Sequence, residues 1–243
     1  MENEIKLGFS TGSLHKFCTT KEALGFIKKA GCKFVELGFV KLKSLEEGLL
    51  DEIQAVDLDD FEYVSFHAPK FDYGKDKNSL KILDKIKYFS NNVRNIDLVI
   101  FHPDTIKDFS VLRSVGAPVA VENMDNHKQS CRSTEDFEQI LDGYSDFTLV
   151  LDVNHIYSND LTMKMGSDFY KKFGNKISQV HVSGYAGYHD PLFNTKQLDI
   201  VRGIQNFNIP IIVESVIALE DLKKEKSFIL ECIDKIQRER LVK

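Results

Sequence analysis

Short apolar runs that end on an ionisable residue recur along the chain. Tyr63-Val64-Ser65-Phe66 ends on His67, Leu98-Val99-Ile100-Phe101 on His102, Val119-Ala120-Val121 on Glu122, Leu149-Val150-Leu151 on Asp152, Ser178-Gln179-Val180 on His181 and Ile211-Ile212-Val213 on Glu214. β-branched and aromatic runs of this length read as buried strands. The tips recur at intervals near the roughly 30 residues of a strand-helix-strand unit. Two further runs, 5–10 and 34–39, precede them. Between the strands, apolar residues spaced by three to four predict helices over 20–30, 45–56, 79–95, 106–115, 133–141, 160–173, 195–206 and 219–240. Thr19 or Thr20 supplies the first cap, Ser44 the second, and Ser133-Thr134-Glu135-Asp136 reads as a capping sequence.

Eight strands alternating with eight helices predict an α/β protein, a (β/α)8 TIM barrel in a single domain spanning 1–243. An open doubly wound sheet is the rival. It lacks support because no glycine-rich phosphate loop follows the first strand, and because ionisable tips on six strands meet only in a closed ring.

Composition narrows the class. The 42% of hydrophobic residues suffices for a core, and the 28% of charged residues suits a solvated surface. No apolar run approaches the roughly 20 residues of a membrane helix, and Met1-Glu2-Asn3-Glu4 is acidic where a signal peptide is basic. A cytoplasmic protein without membrane contact is expected. Cys18, Cys32, Cys131 and Cys232 are scattered, with no paired spacing for a thiolate metal site, so reduced thiols are expected. The net charge of −5, with lysines spread over helical segments, disfavours nucleic acid as a partner.

In a barrel the strand C-termini form the active face, so Glu122, Asp152, His181 and Glu214 are expected to converge there. Three carboxylates in one site repel and raise one another's pKa, and a divalent cation neutralises them. One imidazole with three carboxylates suits Mn, Zn, Mg or Co. His67, His102, His155 and His189 surround that set as additional metal or substrate ligands. A lone histidine after an apolar strand is ordinarily a hydrogen-bonded structural residue, and a lone acid a helix cap. A shared register of four such residues has no comparable apolar explanation. His15 and His127 are expected on surface loops.

These motifs resemble the xylose-isomerase-like barrels, which include sugar isomerases and epimerases and the endonuclease IV family of DNA-repair enzymes. The carriers are Phe66-His67-Ala68-Pro69, His102-Pro103, Val121-Glu122-Asn123, Leu151-Asp152-Val153-Asn154-His155, Val180-His181-Val182-Ser183, His189-Asp190-Pro191-Leu192 and Val213-Glu214-Ser215. The isomerase branch implies one metal on Glu122, Asp152, His181 and Glu214. There, Glu122 and Glu214 would act as catalytic acid and base on a small sugar or related hydroxy-carbonyl compound through a metal-stabilised enediolate, with His155 orienting a substrate oxygen. The arginine common in that branch after the seventh strand has no counterpart between His181 and Gln197. The endonuclease IV branch implies three zinc ions and phosphodiester chemistry, on His67, His102, Glu122, Asp152, His155, His181, His189 and Glu214. The ninth ligand of that pattern, an aspartate, is Gly187 here. The sugar isomerase reading is preferred, and the zinc phosphoesterase is the alternative.

Overall fold

The computed structural model describes residues 4–241, and the Met1-Glu2-Asn3 start read above for its charge lies outside them. Each apolar run forms a strand where the spacing places it: β1 (Leu7–Ser10), β2 (Phe34–Gly38), β3 (Tyr63–His67), β4 (Leu98–Phe101), β5 (Val119–Glu122), β6 (Thr148–Asp152), β7 (Ile177–Val182) and β8 (Ile211–Val213). All pair in parallel with their neighbours in sequence, and β8 returns to β1 through Leu7↔Ile211, Gly8↔Ile212 and Phe9↔Val213. The sheet is a closed barrel in the order β1 to β8. Closure demands close approach at β1, where a Cβ on Gly8 would lie 2.0 Å from the Phe34 carbonyl oxygen.

Capping fixes where the helices start. Thr19 and Glu22 make a reciprocal capping box on α1 (Thr20–Lys29). Asp76 caps α4 (Lys77–Asn92), and Ser133 with Asp136 caps α5 (Thr134–Gly143). α10 (Leu222–Leu241) closes the layer against α8 (Leu192–Thr195) and α9 (Leu198–Arg202). Two expected helices are broken instead, and a third is shortened. Residues 45–56 divide into α2 (Leu42–Glu46) and α3 (Ala55–Leu58) around Gly48, whose φ of 82° no helix accommodates. Lys196, at φ 58°, separates α8 from α9. The helix expected over 160–173 begins only at α7 (Lys164–Phe173), and an unforeseen α6 (Val153–Asn159) starts directly from the β6 tip. The segment expected as the fourth helix is a 3-10 turn over Phe109–Val115, ended by Gly116 in the left-handed region.

The strands alternate between two environments. Residues such as Phe9, Val35, Phe66, Val99, Val121, Leu151, Val180 and Val213 pack outward against the helices in the main core. Inside the ring, Leu98, Ile100, Ala120 and Val150 make a small apolar plug. Glu36, Ser65, Gln179 and His181, all fully buried, face one another across the ring. The ionisable strand tips stand on this partly polar interior.

Candidate metal centre

The order of strands decides which side chains meet. His67 ends β3, Glu122 β5 and Asp152 β6, His181 lies near the end of β7, and His102 and Glu214 immediately follow β4 and β8. His155 is carried by α6, whose first turn is capped by Asp152 Oδ1, accepting from Asn154 N at 2.7 Å and His155 N at 3.0 Å. His189 lies in the loop after β7, held by Ser183 Oγ at 2.8 Å from its Nδ1. All eight histidines and acids proposed from sequence are therefore brought to one end of the barrel.

Glu122 is the hub. Its Oε2 lies 3.0 Å from His67 Nε2 and 3.2 Å from His102 Nε2, and those two nitrogens are 3.2 Å apart. Its Oε1 lies 2.8 Å from His181 Nδ1, which is itself 3.6 Å from Glu214 Oε1. Glu122, Asp152, His181 and Glu214 place one ligand atom each within 4.8 Å of one another, as do His67, Glu122 and His181, and Asp152, His155 and His189.

A cation fits this donor set. Zinc bonds of about 2.0–2.1 Å in a tetrahedral site put neighbouring ligands about 3.3 Å apart, close to the spacing of His67, His102 and Glu122. Asp152 Oδ2 is buried with no hydrogen-bond partner. His155 donates from Nδ1 to the Asn123 carbonyl oxygen at 2.7 Å, which leaves Nε2 facing Asp152 Oδ2 at 3.4 Å. The imidazole and carboxylate oxygens suit Zn, Mn or Co.

The electrostatics point the same way, with protons standing in for cations. Burial pushes the His181 pKa down, but Glu214, Glu36 and Glu122 outweigh it and hold the group well above its ordinary value. His67 is raised likewise, chiefly by Glu122 against its burial. Burial would raise Glu122, but His181, His102 and His67 hold it well below the carboxylate range. Asp152 is raised by burial and by Glu122. Glu214, 15% exposed, is pushed up to about 7 by burial and by Glu122, Glu36 and Asp152. Burial, with His67 and Lys70 nearby, lowers His102 to about 4, while burial and His155 lower His189 to about 3, so both rings stay neutral near neutral pH. Carboxylates that require this many positive neighbours are the environment a divalent ion satisfies.

Above the centre lies a cavity of about 490 Å³, into which His67, His102, Glu122, His155, His189 and Glu214 open. Its opposite wall, built by the loops after β1, β2 and β3, carries Lys16, Lys41 and Lys70, none ion-paired among the described residues. His15 is exposed, as expected of a surface loop, and also lines this wall. His127 is exposed and is absent from the cavity lining. Gly187 sits in a turn whose backbone N–H groups at 186, 187 and 188 are gathered by Asp190 Oδ2, so that carboxylate faces its own loop.

Sequence reasoning missed Glu36. It lies on β2, is wholly buried, and contacts His181 Nε2 at 2.9 Å from the side opposite Glu122. The available signal was period-two alternation, since Glu36 is in phase with Gly38, Ser65 with His67, and Gln179 with His181.

No family model matches the sequence, and no curated protein matches it. Solved structures match the fold. A D-tagatose 3-epimerase-like protein aligns with TM-score 0.66 at 17% identity over 96% of this chain and 99% of its own. Endonuclease IV from Thermus thermophilus aligns with TM-score 0.68 at 13% identity over 95% and 99%. The IolI protein, solved with a zinc atom, aligns with TM-score 0.66 at 16% identity over 95% and 99%. The chain therefore shares the closed (β/α)8 barrel fold of these proteins.

Proposed function

We propose that the protein is a metal-dependent phosphoesterase that hydrolyses a P–O bond of a small phosphorylated compound. The observation that carries this reading is the division of labour at Glu122. One carboxylate oxygen belongs to His67 and His102, the other to His181 beside Asp152 and Glu214. A carboxylate whose two oxygens are both engaged would serve to hold metal ions better than as a base that swings toward a carbon-bound proton. Asp152, His155 and His189 form a further donor set. Ions held on these residues would supply Lewis-acid activation of a water and of the phosphoryl oxygens.

The chain's own residues complete the site. His102 and His189 are neutral near pH 7 and so are available as donors. Lys16, Lys41 and Lys70, which pair with no acid among the described residues, offer positive charge to an anionic substrate on the facing wall. The cavity volume suits a drug-sized molecule, which favours a small phosphate ester over duplex nucleic acid. The fold is shared with both endonuclease IV and sugar epimerases, so the fold alone does not choose between them.

The isomerase reading keeps one specific support. Glu214 is the most exposed of the three carboxylates at the centre and, with its pKa pushed up to about 7, is poised to take and return a proton near neutrality. Elemental analysis of protein purified without chelators, together with assays on p-nitrophenyl phosphate and its diester, separates the two. Two or more ions per chain with phosphate release is the expected result. One ion per chain, no ester cleavage and solvent deuterium exchange into a ketose would replace this reading with the isomerase.

A further inference from the structure

The barrel interior beneath the candidate centre holds a fourth carboxylate that none of the proposed ligand sets uses. Glu36 is wholly buried, and no lysine or arginine pairs with it among the described residues. Burying a carboxylate away from water is costly unless charge or hydrogen bonds compensate, so its neighbours reveal what it does. Its Oε2 accepts from Gln179 Nε2 at 2.8 Å, lies 2.9 Å from His181 Nε2, and accepts from Ser65 Oγ at 3.3 Å. Gln179 is oriented in turn, because its Oε1 accepts from the Tyr63 hydroxyl at 2.9 Å. That bond aims the amide N–H groups at Glu36. β2 and β7 are not adjacent in the ring, so this is a strut across the barrel.

We propose that Glu36 is the positioning residue of the centre, holding the His181 ring through Nε2–H so that Nδ1 is presented to the ion beside Glu122 and Glu214. The proposal rests on the metal reading given above. A carboxylate oxygen can only accept, so the metal-free ring carries a proton on Nε2 toward Glu36 and another on Nδ1 toward Glu122 Oε1 at 2.8 Å; an entering ion would displace the Nδ1 proton, and Nδ1 is then the nitrogen left to coordinate. The opposite ring nitrogen of a metal-bound histidine ordinarily finds such an acceptor, which fixes the tautomer and raises ligand basicity. Gln179 Nε2 also approaches His181 Nε2 at 2.8 Å. Without Glu36 that amide would donate to Nε2 and favour the tautomer with Nδ1 protonated, which cannot coordinate a cation through Nδ1.

The test is zinc titration by calorimetry of the full chain and of Glu36→Gln, with Glu36→Asp as the charge-conserving variant. Glu36→Gln should weaken zinc about 10- to 100-fold, the range for outer-shell partners, and Glu36→Asp should recover part of the loss. In ¹⁵N-histidine spectra the slowly exchanging, downfield His181 Nε2–H should move upfield or vanish in Glu36→Gln. A merely structural Glu36 would lower thermal stability and leave both zinc affinity and that resonance unchanged, which would overturn the proposal. If Glu36→Gln does not fold, Tyr63→Phe, which releases Gln179 without touching Glu36, should weaken zinc several-fold, and an unchanged affinity would also overturn it. Recording the Nε2–H resonance in metal-free protein separates the two claims. Its presence in protein that binds no zinc would remove the metal reading while leaving the Glu36 contact in place.

Discussion

Asn123 and Asp152 grip each other at the top of adjacent strands. The Asn123 side-chain Nδ2 donates to the Asp152 carbonyl oxygen at 3.0 Å, and the Asp152 N–H donates to Asn123 Oδ1 at 2.7 Å. A side-chain amide thus continues the β5–β6 ladder one step past its backbone pairing, and fixes Glu122 and Asp152 relative to each other. Both partners are buried, so truncation leaves two polar groups unsatisfied. Asn123→Ala is expected to cost about 2–4 kcal/mol of stability by urea unfolding and to weaken zinc binding in the same preparation. Stability and affinity both unchanged would show that the pair does not set the site.

Glu122→Gln and Glu214→Gln are expected to retain the fold by circular dichroism and to lose activity by more than the roughly 100-fold that outer-shell changes cost. They should differ in metal content. Glu122 touches two donor sets and Glu214 one, so Glu122→Gln should release more ion per chain when both variants are assayed by elemental analysis. Full activity in both would refute their assigned roles.

Apparent metal affinity should rise with pH. In the metal-free protein Glu214 is protonated below about 7, and His67 and His181 are held protonated above the ordinary histidine value. An entering ion must displace these protons, so affinity should fall as pH drops through 7, about tenfold per unit for each proton released. His102 and His189, lowered to about 4 and about 3, should add no slope between pH 5 and 8. Zinc titrations at pH 6, 7 and 8 check this, and a flat profile would contradict it.

Charge removal on the cavity wall tests the anionic substrate. Lys16→Ala, Lys41→Ala and Lys70→Ala should each raise KM for a phosphate ester while leaving metal content unchanged. The effect should be about tenfold at the strongest position, equivalent to about 1.4 kcal/mol. KM values unaltered in all three would place the substrate elsewhere in the mouth.

Much of this was legible in the sequence because Val, Ile and Phe runs define strands locally. The tips at His67, Glu122 and Asp152 are the last residues of their observed strands, and Thr19 and Ser133 start helices by bonds made within a few residues. The broken helices were not legible, since left-handed Lys196 carries no composition signal and α6 depends on Asp152 serving as both tip and cap. Glu36 was hidden by the assumption that parallel strands are apolar on both faces. On β2, β3 and β7 the inner face is polar, and the contacts that define it join β2 to β7, 143 residues apart in the Glu36–Gln179 bond. Such a pairing is set by closure of the sheet and by nothing local.

That closure also sets a timetable. The donors run from His67 to Glu214, one or two per strand, and the ring is sealed only when β8 docks between β7 and β1. A chain still emerging from the ribosome has no complete ligand set, however much of it has already collapsed. Ions should therefore load after synthesis, into a finished barrel and through its open mouth, and a chain stopped before residue 214 should accumulate as a metal-poor species with its acids uncompensated.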